Sequence, residues 1–381
     1  MRVTQSMLTN SNLKYLSQNY NRLGKIQDQI MSGKKITKPS DDPVVAMKGM
    51  RYRSQVVEVE QFKRNLGEGF NWLENADASL DETGSVLQRI RELTVQASND
   101  SYDPTARKNI TAEISRLQEH IVALANTRVG DNYIFNGTNT ASQPINENRF
   151  NLGYEKFQEG LSDSTLKAED YVVSYKGLSY QYDSIEKVYK SANGDSISIS
   201  GANGEIVRKY SEEQKYLDGQ KMELREEINA SDIVISNKFS VSTNTEDVRI
   251  EIMKGVTIPI NVRPQGVYST ELFGSLESLK KMLNDPSTKG AELTKVLDNL
   301  DGFMNSIVST RAELGAQMNR AEMVQDRLLQ QEVIANKTVS DNEDIDFEKA
   351  IIDLTIQESL HRASLAAGAR IIQPTLMDFL R

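Results

Sequence analysis

Cysteine is absent from the 381-residue sequence, and histidine occurs only twice. Without cysteine the chain has no disulfide, no thiolate metal site and no cysteine nucleophile. His120 and His361 lie far apart in the sequence, and neither has a second histidine at helical spacing, so we interpret both as ordinary helix-face residues. Phosphate-binding and hydrolase motifs are missing as well. We therefore expect no metal, no cofactor and no catalytic residues.

Long hydrophobic runs are also missing. No stretch of 18 apolar residues occurs, which excludes an ordinary transmembrane helix, and the N-terminal segment is too polar for the core of a Sec signal peptide. Positive charge is not in excess, because Asp and Glu total 54 and Lys and Arg total 45, for a net charge of -9. Chains that bind nucleic acid normally concentrate positive charge. We expect neither membrane insertion nor a nucleic-acid partner.

Helical periodicity is present at both ends of the sequence. Near the N-terminus, apolar residues three or four positions apart keep one stripe on one helix face. Gly33 offers a stop for this helix. An extended connector is predicted to follow, and it ends in a new helix because Asp42 is a good N-cap and Pro43 suits the first helical position.

Two further helices are predicted before the middle of the chain. Apolar heptad positions run from Val59 to Ala97. The helix that carries them is predicted from Val44 to Ser98, a length of about 80 Å at 1.5 Å per residue. Asp103 and Pro104 repeat the cap-and-proline start and open the next helix. A strand at 133–135 is then predicted to enter a tight turn at Asn136 and Gly137.

The region from about 141 to 290 has a different pattern. Residues 196–200, 248–252 and 256–262 alternate between apolar and polar side chains, which predicts strands. Residues 211–228 and 273–283 are interpreted as helices, the former because it is charged and helix-prone. The combination predicts a separate α+β domain between two helical arms.

Heptads resume after 290, break at 340–344 and give way to a last helix. Because such stripes need apolar partners, the C-terminal arm is expected to fold back along the N-terminal arm. The predicted fold is mainly α with an inserted α+β domain, and the two arms form a long antiparallel helical bundle. The predicted domains are 1–43 plus 341–381 (terminal helix pair), 44–140 plus 290–340 (helical bundle with a β-hairpin) and 141–289 (outer α+β domain).

The outermost helices pair only with each other in this scheme, so they bury little surface and should need neighbouring subunits. An intramolecular coiled coil is the alternative interpretation of their stripes. The predicted assembly interface comprises Leu13, Leu16, Tyr20, Leu23, Ile30, Leu365, Ile371, Leu376, Phe379 and Leu380. The predicted interdomain connector, which sets the bend between domains, comprises Pro39, Ser40, Asp41, Asp42 and Pro43.

Several motifs resemble the bacterial flagellin superfamily. The segment Lys-Pro-Ser-Asp-Asp-Pro at 38–43 is similar to a family signature, in the proline-containing form typical of junction members. The resemblance covers roughly 1–140 and 290–381. The other similar segments are 29–36, 91–97, 130–138, 309–316 with Asn319 and Arg320, and 376–381.

The resemblance implies a structural subunit of the bacterial flagellum and not an enzyme. It implies an adaptor that joins hook to filament and on which flagellin polymerises. The implied partners are further copies in a ring, hook-associated protein 1, flagellin, and a cytoplasmic export chaperone at the C-terminal helix. The implied location is extracellular, at the hook–filament junction, after export by the flagellar type III apparatus without a Sec signal.

Three alternatives remain open. Filament flagellin itself is the nearest, although Pro39 and Pro43 match the junction form instead. A cytosolic coiled-coil scaffold would explain the heptads but not the family motifs. An enzymatic middle domain is restricted to carboxylate or hydroxyl chemistry, because residues 141–290 contain neither histidine nor cysteine.

Overall fold

The computed structural model describes residues 5–99, 104–199, 206–217 and 220–372. The chain divides into two compact units. The first unit comprises Met1–Lys63 and Gln325–Arg381, and the second comprises Arg64–Val324. The finer division into three domains stays a prediction.

Seven α helices account for most of the described residues. The helices predicted in both arms are confirmed, and so is the one over 273–283. The helix that starts at Pro43 continues without interruption to Ala97, although it contains three glycines after residue 60. The helices are α1 (Gln5–Ser32), α2 (Pro43–Ala97), α3 (Pro104–Ala125), α4 (Tyr154–Ser162), α5 (Thr270–Asn284), α6 (Gly290–Glu343) and α7 (Phe347–Ile372).

Eleven strands in the described ranges form three antiparallel sheets. They are β1 (Arg128–Val129), β2 (Asn132–Tyr133), β3 (Tyr171–Tyr175), β4 (Leu178–Asp183), β5 (Val188–Ser191), β6 (Ser196–Ile199), β7 (Ile206–Leu217), β8 (Gln220–Ile228), β9 (Val234–Asn237), β10 (Arg249–Met253) and β11 (Val256–Pro259). The largest sheet has the order β8-β7-β6-β5-β4-β3-β9. Neighbours in the chain are therefore neighbours in this sheet from β3 to β8, and β9 returns to pair with β3. The inserted α+β region is confirmed.

Within the segment 211–228, residues 211–217 and 220–228 form strands, so the predicted helix in this segment is wrong. β7 and β8 pair with Ile206 opposite Ile228 and with Leu217 opposite Gln220. Ile206 and Ile228 are both buried in the core of the sheet, and β7 also pairs with β6. Pairing and burial at the base of this hairpin override the local helix propensity, which is a weak preference.

The predicted strand at 133–135 is shorter than expected. β2 ends at Tyr133, and the hairpin with β1 turns at Gly130, which has a positive φ of 61°. Ile134 and Phe135 continue into the helical core, where they are 1% and 0% exposed. Gly137 has a φ of 54°, which a glycine adopts without steric cost.

The first unit contains two antiparallel helix pairs. α1 packs against α7 along their lengths. The start of α2 runs beside the end of α6, where Lys63 Nζ lies 2.6 Å from Glu332 Oε2.

The second unit contains two apolar cores. The larger core draws on four helices and includes Leu73, Ile114, Leu276 and Leu300, with Trp72 packed against it. The smaller core lies on the large sheet and is rich in aromatic side chains; its members include Phe157, Tyr171, Tyr180 and Tyr189. This unit buries the side chains that stabilise an isolated chain.

Candidate assembly interface

α1 and α7 contact each other through polar and apolar side chains. The Asn19 amide donates to Ser364 Oγ at 3.2 Å. Close to this bond, the ring centroids of Tyr20 and His361 lie 6.0 Å apart and the rings are tilted by 48°. A groove between the helices is lined by Thr9, Asn12, Leu13, Leu16, Ser364, Leu365, Gly368 and Ala369.

Large apolar side chains are concentrated on the surface of the first unit. Among the described residues, 18 of the 23 exposed large apolar side chains lie in residues 1–63 or 325–381. The apolar residues buried within the same described part of the chain are Val59, Leu328 and Ala350. Monomeric proteins rarely leave such apolar surface in water, and extensive exposure marks interaction sites. The first unit therefore exposes apolar surface of the kind that marks interaction sites.

The predicted interface residues divide into three groups. Exposed members are Leu13, Tyr20 and Leu365, at 56%, 65% and 49%. Half-buried members are Leu16, Leu23 and Ile30. Ile371 lies in α7, whereas Leu376, Phe379 and Leu380 lie outside the described residues. That they make contacts between copies stays a prediction.

The connector between α1 and α2 is ordered by its two aspartates. Asp42 Oδ1 accepts hydrogen bonds from Val44 N at 3.0 Å and Val45 N at 3.1 Å, so the predicted N-cap of α2 is confirmed. Asp41 Oδ2 accepts from Lys38 N at 3.0 Å and from both the backbone N and the hydroxyl of Thr37 at 3.3 Å. Pro39 and Ser40 are exposed between these fixed points.

The pKa of Asp41 is lowered below its ordinary value, mainly because Lys38 N donates a hydrogen bond to its ionised carboxylate. Lys25 Nζ from α1 adds an ion pair at 3.4 Å. The ionised form of Asp41 therefore holds the turn at 37–41 beside α1.

The same connector exchanges backbone hydrogen bonds with the break between α6 and α7. Lys35 N donates to Glu343 O at 2.6 Å, and Ile345 N donates to Gly33 O at 2.9 Å. Lys34 and Asp344 form an antiparallel bridge between these bonds, and Lys34 Nζ lies 2.6 Å from Asp344 Oδ1. We call this arrangement the connector clamp; its residues are Gly33, Lys34, Lys35, Glu343, Asp344 and Ile345.

Charge is balanced across the connector clamp. The Lys34 pKa is raised, mainly by its hydrogen bond to Asp344, and the same bond lowers the pKa of Asp344. Asp344 also accepts from Ser340 Oγ at 2.5 Å. Both groups are therefore held in their charged forms at neutral pH.

The sequence interpretation missed Glu343. Its segment is an acidic break between helices, which suggests a solvated hinge or a cap, and Asp346 does cap α7 by accepting from Lys349 N at 3.1 Å. Glu343 instead is 3% exposed and accepts two hydrogen bonds from Arg53, at 2.8 and 2.6 Å. The sequence shows only a carboxylate at the end of a heptad stripe, and this feature does not identify Arg53, 290 residues away, as its partner.

Neither a cluster of metal-ligating side chains nor a helix long and apolar enough to cross a membrane occurs in the described part of the chain. His120 Nε2 lies 3.1 Å from Glu82 Oε1, and His361 packs against Tyr20. The two histidines thus lie on helix faces in different units.

Models of two flagellin regions match the chain. The bacterial flagellin N-terminal helical region matches residues 3–140, and the bacterial flagellin C-terminal helical region matches residues 297–380. The chain belongs to the bacterial flagellin superfamily. The matched regions contain both helical arms of this family member, and the inserted sheet lies between them.

Similar flagellar proteins include flagellins and a hook-associated protein. The flagellin of Clostridium tyrobutyricum is 31% identical over 127 residues, which are 33% of this chain and 34% of that protein. Polar flagellin A of Vibrio parahaemolyticus is 24% identical over 94% of this chain and 93% of that protein. Flagellar hook-associated protein 3 of Escherichia coli is 22% identical over 96% of each protein.

A solved structure shares the fold. The putative flagellar hook-associated protein from Vibrio parahaemolyticus aligns with a TM-score of 0.52 at 14% identity, over 80% of this chain and all of that chain. The likeness agrees with the mainly α fold that carries an inserted α+β region.

Proposed function

We propose that this superfamily member is a structural subunit that joins the flagellar hook to the filament and on which flagellin polymerises. The observation that carries the proposal is the surface of the first unit, where 18 large apolar side chains are exposed among the described residues. Burying one such side chain completely stabilises an assembly by about 1.5–3 kcal/mol. Repeated contacts between copies would therefore favour a ring or tube over isolated chains.

The connector favours the junction role over the role of filament flagellin. Similarity over nearly the whole chain extends to a flagellin and to hook-associated protein 3 alike, so identity does not separate the two. Pro39 and Pro43 give the connector the junction form of the signature. Pro43 also supports the start of α2, because its fixed φ suits the first helical position.

The proposed partners follow from the junction role. They are further copies of the chain in a ring, hook-associated protein 1 on the hook side, flagellin on the filament side, and an export chaperone at the C-terminal helix. The proposed location is the hook–filament junction, reached by the flagellar type III apparatus. The proposed role is mechanical and needs neither a cofactor nor catalysis.

Deletion of the gene in its host tests this proposal. Motility, electron microscopy of the flagella and the amount of flagellin in the medium would be compared between the wild type, the deletion strain and a complemented strain. We expect hooks without filaments, flagellin shed into the medium, and restoration of all three measures by the complementing gene.

Three other outcomes would contradict the junction role. Intact filaments in the deletion strain would show that another protein joins hook to filament. Filaments lost without any release of flagellin would identify the chain as the filament subunit. Normal flagella and motility together would favour a scaffold outside the flagellum.

A further inference from the structure

Glu343 is a buried charge at the last position of α6. Charged side chains are rarely buried unless they are paired and hydrogen-bonded, because removing them from water costs free energy. Arg53 supplies the pairing from α2 in a two-pronged geometry, through Nε at 2.8 Å and Nη2 at 2.6 Å. Lys34 Nζ from the connector lies 3.6 Å from Glu343 Oε2. One carboxylate thus faces cations from two other segments.

The surroundings of Glu343 fix its position. A Cβ on Gly49 would clash with Glu343 Oε1, so the absence of a side chain at Gly49 lets the carboxylate lie against α2. Next to it, Asn342 Nδ2 donates to Val45 O at 3.1 Å. Lys35 Nζ donates to Asp341 O at 2.6 Å. The end of α6 is therefore bound on one side to the start of α2 and on the other side to the connector that follows α1.

These contacts join the two helix pairs of the first unit. The backbone bonds of the connector clamp tie the end of α1 to the start of α7, and the Arg53–Glu343 pair ties the end of α6 to α2. Glu343 takes part in both, through its backbone oxygen and its side chain. We propose that Glu343 is a positioning residue that fixes the angle and register of the α1–α7 pair relative to the α2–α6 pair, and so the direction in which the apolar faces are presented. This inference does not depend on which flagellar subunit the chain is.

The competing explanation is an ordinary stabilising ion pair. Such a pair would lower the stability of the first unit when removed but would leave the arrangement of its helices unchanged. Lys63–Glu332 provides a matched comparison, because it also joins α2 to α6, at 2.6 Å, without touching the connector.

Spin-label distances in the full chain test the proposal, and the lack of native cysteine allows labels at chosen sites. Ser17→Cys in α1 and Asn336→Cys in α6 are both at exposed positions. The distance between their labels reports on the α1–α7 pair relative to the α2–α6 pair. Ser17→Cys with Ser359→Cys reports on the α1–α7 pair itself. Each label pair would be measured in the wild-type background, in Glu343→Gln and in Glu332→Gln.

In Glu343→Gln we expect the distance distribution between sites 17 and 336 to broaden from the single narrow peak of the wild type. The distribution between sites 17 and 359 should stay unchanged. Glu332→Gln should retain both distances. A 17–336 distance that stays narrow in Glu343→Gln would overturn the proposal. So would an equal loss in Glu332→Gln, or a simultaneous loss of the 17–359 distance, because the effect would then be general unfolding of the pair.

Discussion

At the scale of single residues, Gly49 is a position where an added side chain would meet a fixed neighbour. It lies inside α2, where alanine would normally be favoured by roughly 0.5–1 kcal/mol. A Cβ there would clash with Glu343 Oε1, whose carboxylate Arg53 holds in place. We expect Gly49→Ala to lower the free energy of unfolding of the first unit by about 1–3 kcal/mol, as overpacking does. Thermal and denaturant unfolding followed by circular dichroism would measure the change.

Gly24→Ala is the matched control, because an added Cβ at Gly24 in α1 meets nothing within 4 Å. It should leave stability unchanged or raise it by about 0.5–1 kcal/mol. Equal effects of the two substitutions would mean that the clash with Glu343 relaxes without cost.

The residue scale also separates what sequence predicts from what it does not. Asp42 could be assigned as an N-cap because its partners, Val44 N and Val45 N, lie two and three residues away. Glu343 could not be assigned, because Arg53 and Lys34 are 290 and about 310 residues distant and nothing local distinguishes a buried carboxylate from a solvated one. Local chemistry is encoded locally, whereas pairing depends on the completed fold.

At the scale of elements, the connector clamp should respond to acid. Asp344 is faced by Lys34 and Lys35 from the connector and by Ser340 from α6, and the Lys34 bond lowers its pKa. A carboxyl group with a lowered folded pKa contributes stability above its unfolded pKa, about 3.9, and loses it as the pH falls through the folded value. The clamp should therefore persist at neutral pH and open only below about pH 4.

Fluorescence energy transfer between labels at Ser17→Cys and Asn336→Cys would follow this opening. The transfer efficiency should be constant from pH 8 to about pH 4 and should decrease at lower pH. In Asp344→Asn the acid-dependent change should be reduced. A change centred near pH 6 or above would contradict the assignment to this carboxylate.

The elements themselves differ in how far their sequence determines them. The long helices of the arms follow from heptad stripes repeated over many turns, and their predicted starts at Pro43 and Pro104 are correct. Residues 211–228 have no comparable stripe, and their charged composition suits a helix in isolation. The described residues of this segment form strands because β7 and β8 pair with each other and β6 pairs with the start of β7, and composition does not reveal these contacts.

At the scale of the whole molecule, folding and assembly should be separable by truncation. Removal of residues 367–381 shortens α7 and deletes four predicted interface residues, namely Ile371, Leu376, Phe379 and Leu380. The large core of the second unit contains none of the removed residues. We expect a folded, soluble monomer that retains its main helical melting transition in circular dichroism and does not assemble in analytical ultracentrifugation or electron microscopy.

A matched variant strengthens this test. Leu13→Ser with Leu365→Ser removes two exposed apolar side chains of the α1–α7 groove and keeps the full length. This double variant should also assemble less than the wild type, as the truncated chain should. Loss of the main melting transition in the truncated chain would contradict the separation of folding from assembly.

The contact between Lys34 and Asp344 closes a loop of about 310 residues, nearly the whole chain. Closing a loop costs entropy that rises with the logarithm of its length, by about 0.6 kcal/mol for each doubling. Contacts inside the second unit, such as the β3–β4 hairpin, span a few residues and can form much earlier. The terminal helix pair is consequently the last part of the chain to become complete. The apolar surface of the α1–α7 pair needs helices from both ends of the chain. It is therefore completed only after the second unit can fold, which delays self-association through that surface.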